Sequence, residues 1–115
     1  MKNVYGYLIN LSAVYIPARK RIVSVEERSC TLRHTMSQLL LFLMQKRDSD
    51  IVTDEEILLH VWDKNDLSGT RTRLWQVMRE LQRKLYLAGV KKNVFIRIKG
   101  KGYLIEPGEV KPLYI

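Results

Sequence analysis

The sequence predicts an α+β domain in which a small antiparallel sheet comes first, three helices follow, and a β-hairpin closes the order. Three observations carry this. Residues 4–33 are rich in Val, Ile, Tyr and Thr in partial alternation. Residues 35–87 hold apolar side chains at helical spacing, and Val94–Lys99 alternates ahead of Gly100-Lys101-Gly102. A length of 115 residues is that of one domain, and 46% hydrophobic with 28% charged residues suits a packed core. The domain is expected over residues 1–106. Pro107, Gly108 and Pro112 mark residues 107–115 as an irregular C-terminal tail or the start of a linker.

In the first segment Tyr5, Tyr7, Ile9 and Leu11 follow a two-residue period, and Ile22, Val23 and Val25 do so less cleanly. Pro17 with Arg19-Lys20-Arg21 marks one turn, and Glu26-Glu27-Arg28 another. Three or four short strands fit. The first helix is expected over Thr35–Lys46, with Thr35 and Gln38 as a capping box and Leu39, Leu40, Leu43 and Met44 on its apolar face. The second runs over Asp54–Trp62. Thr53 and Glu56 form its capping box, Val52 can staple to Ile57, and three acidic residues meet the positive end of the helix dipole.

A polar loop, Asp63–Gly69, leads to a third helix over Thr70–Leu87, which Gly89 can end in a left-handed cap. Leu74, Met78, Leu81 and Leu85 trace its buried stripe, widened by Val77. The opposite side carries Arg71, Thr72, Trp75, Gln76, Arg79, Gln82 and Arg83. In the closing hairpin the glycines of Gly100-Lys101-Gly102 supply the positive φ of a tight turn.

The net charge is +8, and it is not spread evenly. Ten of the 20 Lys and Arg residues lie between Asp66 and Gly102, against only Asp66 and Glu80, and the remainder of the chain balances to zero. One basic half beside a neutral one points to a face for a polyanion. No apolar run approaches the ~20 residues of a membrane span. The N-terminus lacks a signal-peptide pattern. The single cysteine, Cys30, has no thiol partner for a disulfide or metal cage, and a reducing cytoplasm is the simplest home. His34 and His60 have no paired carboxylate or third ligand, so no cofactor or metal is expected.

A helix with one apolar side and long donors on the other suits the major groove of double-stranded DNA, where each base pair shows its own donor and acceptor pattern. Arg pairs with guanine through two acceptors, and Gln does the same with adenine. Arg71, Thr72, Arg73, Trp75, Gln76 and Arg79 are the candidate contacts, with Arg83 better placed for phosphate. Arg97, Lys99 and Lys101 put charge on the hairpin, where a narrow minor groove attracts it.

Three motifs, in order, resemble the OmpR/PhoB-type winged helix-turn-helix domains. Ile51-Val52-Thr53-Asp54-Glu55-Glu56-Ile57-Leu58-Leu59-His60-Val61-Trp62 resembles their second helix, often V-V-S-R-E-E-L-L-x-x-V-W. Leu81-Gln82-Arg83-Lys84-Leu85 resembles the L-R-R-K-L end of their recognition helix. Ile98-Lys99-Gly100-Lys101-Gly102-Tyr103 resembles their wing, V-R-G-x-G-Y. The resemblance covers about residues 4–106. It implies a transcriptional regulator with a four-stranded N-terminal sheet, a third helix that reads the major groove, and a minor-groove contact at Lys99. It also implies a backbone contact at Arg97. The Asp63–Ser68 loop corresponds to one that contacts RNA polymerase in some members. A chain opening at Met1 with this module is arranged like the ToxR/CadC-type regulators, so a membrane partner is expected only if the sequence is a fragment of a longer anchored chain. Weak or DNA-induced homodimerisation is expected, since pairing raises the affinity of a small module.

Trp75 is bulky for a groove-facing position; it packs on the sheet or wing, or it meets DNA. Trp62 reads as core and Tyr103 as filler between wing and helix. The competing function is a winged helix used as a protein–protein interaction module, since fold does not determine function. That reading favours an exposed apolar patch rather than a basic face. RNA binding lacks its stacking surface, and a nuclease lacks clustered carboxylates, so no enzyme is expected.

Overall fold

The computed structural model describes residues 3–26, 28–65 and 69–115. Strands β1 (Val4–Ile9), β2 (Ala13–Ile16), β3 (Arg21–Ser24) and β4 (Ser29–Thr31) form the expected N-terminal antiparallel meander. Tyr7, Ile9, Tyr15 and Ile22 turn inward, as alternation requires. The period breaks at its ends: Tyr5 is exposed, and Leu11 sits in the β1–β2 turn, where Asn10 and Leu11 both adopt positive φ. Pro17–Arg19 winds into a single 3-10 turn closed by left-handed Lys20. In the next turn Ser24 Oγ accepts the backbone N–H groups of Glu26 and Arg28; Glu27 lies outside the described residues.

The meander is one strand short of the sheet that forms. Residues expected to be an irregular tail include strand β8 (Val110–Tyr114), which pairs antiparallel with β1 and completes the order β4-β3-β2-β1-β8. Pro112 is tolerated because β8 is an edge strand, where the missing N–H takes no bond from a further neighbour. Val110, opposite Ile9, is buried, and this burial draws the segment onto the sheet.

Helix α1 spans His34–Gln45. The Thr35–Gln38 capping box does not form: the helix starts earlier, from an extended Arg33 with no side-chain cap. Leu32 and Met36 are both buried, and seating both winds the chain before Thr35 could act as a cap. Tyr15 ties the sheet to α1. Its hydroxyl donates to the Ser37 backbone carbonyl at 2.8 Å and shares a 2.7 Å bond with Ser37 Oγ. Burial, the main cause, pushes this phenol above its usual range.

Strand β5 (Val52–Thr53) precedes helix α2 (Asp54–Ile57), which runs on as a wider π-type turn, Leu58–Trp62. Together they cover the expected second helix. The Thr53 capping box is present: Thr53 Oγ1 accepts the Glu56 N–H at 3.1 Å, and Glu56 reaches back to the Thr53 N–H at 3.3 Å. The wider turn keeps Val61 and Trp62 in the core and stacks His60 on Phe42, with centroids 4.9 Å apart. Asp63–Asn65 adds a 3-10 turn; the rest of the expected polar loop, Asp66–Ser68, lies outside the described residues.

Helix α3 spans Arg71–Leu87, with Thr70 capping the Arg73 N–H. Gly89 ends it at φ +107 in a Schellman arrangement, its N–H on Tyr86 O and that of Val90 on Leu85 O. Leu74, Val77, Met78, Leu81 and Leu85 are buried as expected, within one core that also holds Trp62 and Tyr103. The wing consists of β6 (Phe95–Ile98) and β7 (Gly102–Ile105), with β5 as a third strand on β7. Gly100 has the expected positive φ of +76, but Gly102 does not. The role of Gly102 is close approach, since its backbone lies against that of Val52 and Thr53.

Candidate nucleic-acid interface

Two amphipathic elements set the site. The apolar stripe of α3 anchors the helix, and 3.6-residue periodicity then turns Arg71, Thr72, Arg73, Trp75, Gln76, Arg79 and Arg83 to solvent, where all are exposed. The wing alternates about its buried residues Phe95, Tyr103 and Ile105, leaving Arg97, Lys99 and Lys101 exposed at β6 and its turn. A shallow cleft lies between α3 and the wing, with Trp75 and Arg79 on one wall and Asn93 and Arg97 on the other. Gln82 spans it: its side-chain amide donates to Asn93 Oδ1 at 3.0 Å and to the Phe95 carbonyl at 3.2 Å. Helix and wing are therefore held as one surface.

The cations on this surface fall into two groups. Arg97 makes a two-bond pair with Asp54, Nη1 to Oδ1 at 2.7 Å and Nη2 to Oδ2 at 3.0 Å, and its guanidinium lies 4.9 Å from the centre of the Tyr103 ring. That hydrogen bonding holds the guanidinium even more firmly charged than usual. Burial, the leading cause, raises the Tyr103 phenol. Arg71 bonds Glu55 and has its Nε 3.8 Å from Asp54. Lys92 pairs with Glu109 at 2.9 Å, which raises the ammonium, while Asn10 first and Lys92 second lower the carboxyl. By contrast, no carboxylate among the described residues lies within ion-pair distance of Arg73, Arg79, Arg83, Lys99 or Lys101. All five of these side chains are exposed to solvent.

Trp75 is 52% exposed, so it does not pack into the core, and the Arg79 guanidinium lies over its ring at 4.7 Å. Asp54 was legible in sequence only as a helix-start residue. Its partner is 43 positions away, and the sole hint was an acid where the family's second-helix pattern carries Arg.

A family model described as "Transcriptional regulatory protein, C terminal" matches residues 27–105. The chain belongs to this family. The membership bears out the resemblance drawn from the three motifs, and the protein is a DNA-binding transcriptional-regulator domain with the winged-helix fold. Among solved structures, the DNA-binding domain of Escherichia coli CadC is similar with a TM-score of 0.78 and 18% identity, over 98% of this chain and 100% of that one. The DNA-binding domain of Bacillus subtilis CssR follows at 0.67 and 23%, over 82% and 99%. That of E. coli CpxR gives 0.66 and 23%, over 84% and 91%. At these identities the likeness is one of fold. No curated protein sequence matches the chain significantly. Among the described residues, no helix is long and apolar enough to cross a membrane.

Proposed function

We propose that the domain reads double-stranded DNA sequence-specifically, with α3 in the major groove and the wing turn on the adjoining minor groove or backbone. The carrying observation is the gathering of carboxylate-free cations on α3 and the wing turn, while Arg97, Lys92 and Arg71 are paired within the domain. Thr72, Trp75, Gln76 and Arg79 are the base readers. Arg73, Arg83 and Lys101 meet phosphates, and Lys99 enters the minor groove. Arg97 braces the wing through Asp54, and Arg71 reaches DNA only by exchanging its carboxylate partners for a phosphate. The module binds rather than catalyses, and it works in the cytoplasm, with the DNA.

The test is selection of bound sequences from a random duplex library. A short motif should be enriched, and Arg79→Ala or Gln76→Ala should each cost about 1–3 kcal/mol at one position of it. Three phosphate contacts, from Arg73, Arg83 and Lys101, would give a slope of log K against log salt of about −3 for each bound domain. Binding without enrichment would leave a backbone binder. No binding even at low salt would sink the proposal and favour a protein-interaction module.

Dimerisation belongs to the same proposal: the domain should sediment as a monomer at micromolar concentration and pair on DNA. A tight dimer in free solution by ultracentrifugation would contradict it. Asp63 and Lys64, exposed on the turn after α2, are proposed for contact with RNA polymerase. Adding polymerase to the DNA-bound domain should give a ternary complex that Asp63→Ala weakens.

A further inference from the structure

We propose that Trp75 and Arg79 act as one composite reader for a pyrimidine 5-methyl group adjacent to a guanine. The inference deepens the DNA reading above and rests on it. An indole is a large apolar surface, yet here it is left half in solvent on the outward face of α3, while the core side of the same turn is occupied by Leu74 and Met78. Four residues on, Arg79 folds back over the ring at 4.7 Å, with no carboxylate among the described residues to hold it otherwise. Stacking on the indole restricts the guanidinium to few conformers and leaves its N–H edge open for two parallel bonds. Holding it there in advance lowers the ordering cost of binding.

Two chemistries thus stand side by side. In the major groove the thymine methyl is the apolar feature of the base edges, and guanine presents the O6 and N7 acceptors that a guanidinium pairs with. Successive bases of a strand are ~3.4 Å apart along the axis. Ring and guanidinium, 4.7 Å apart, are close enough together to meet adjoining base pairs of one groove. In unmodified DNA the methyl comes from thymine. In methylated DNA 5-methylcytosine carries the same group.

The test starts from duplexes enriched in the selection and measures binding of the intact chain to single-atom analogues. The enriched motif should contain a T beside a G. Replacing that thymine by uracil, which removes only the methyl, should weaken binding about fourfold. Replacing the guanine by 7-deazaguanine should weaken it about tenfold. Trp75→Ala, an exposed position, should abolish the difference between thymine and uracil while the protein keeps its wild-type circular dichroism. Placing 5-methylcytosine rather than cytosine at the same position should recover about fourfold if the methyl alone is read. Equal binding to thymine and uracil duplexes, or equal discrimination by Trp75→Ala and the wild type, would overturn the inference while leaving sequence-specific binding intact. So would single strands competing as well as duplex, which would make Trp75 a stacking platform. Absence of any enriched motif would overturn both this inference and the reading beneath it.

Discussion

Gly102→Ala is expected to cost the domain about 3 kcal/mol or more and to release the wing from β5. A Cβ at this position would lie 2.0 Å from the Val52 carbonyl oxygen, 2.7 Å from Thr53 Cα and 2.8 Å from Val52 C. Every one of those atoms is backbone, so no side chain can rotate away. The pairing of β5 with β7 runs through this contact, with Thr53 opposite Gly102 and Val52 opposite Tyr103. Relief requires pulling β5 off the wing, and Thr53 is also the cap of α2. Gly100→Ala is the control. It faces open space and strains only its φ of +76, at about 1–2 kcal/mol. Urea unfolding followed by circular dichroism compares the two. A Gly102→Ala midpoint equal to or above that of Gly100→Ala would show that the close approach is not limiting.

Arg97→Met is expected to cost about 2–3 kcal/mol, and more than Asp54→Ala. The asymmetry follows from burial. Asp54 is 2% exposed, whereas the Arg97 side chain is 43% exposed. Deleting the arginine strands a carboxylate in the protein, where the remaining cation among the described residues is exposed Arg71, its Nε 3.8 Å away. Deleting the carboxylate frees an arginine that can swing into water, and solvent already screens much of its charge. Combining Asp54→Leu with Arg97→Met should recover part of the loss, since neither charge is then stranded. The same unfolding measurement decides it. Asp54→Ala costing more than Arg97→Met would place the brace elsewhere. In DNA binding, Arg97→Met should reduce affinity through a loosened wing, without the loss of one phosphate's salt dependence that Lys101→Ala should show.

Much of this was readable along the chain. The Thr53–Glu56 capping box, the buried stripe of α3, the Gly89 cap and the basic outer face all depend on residues within one or two helical turns of each other, and local periodicity reports such relations directly. The motif spacing that marked the family is local in the same sense. One local reading failed, the Thr35–Gln38 box, because α1 starts earlier, from Arg33; the other misses are of the opposite kind. Strand β8 exists because Val110 meets Ile9 across 101 positions, and no local pattern distinguishes that segment from a Pro- and Gly-bearing tail. Gly102 reads as a turn glycine until β5 is laid against it.

By itself, then, the sequence determined which faces are apolar, where α2 and α3 begin, where α3 ends and on which half the positive charge collects, because side-chain chemistry and a helical period of 3.6 suffice for that. Only the tertiary structure decided which of the cations point outward unpaired. Arg97 and Lys99 are two residues apart on the same wing and look equivalent in sequence. Folding brings a buried carboxylate to one and none among the described residues to the other, because a charge taken out of water must find its partner wherever the chain passes close enough to supply it.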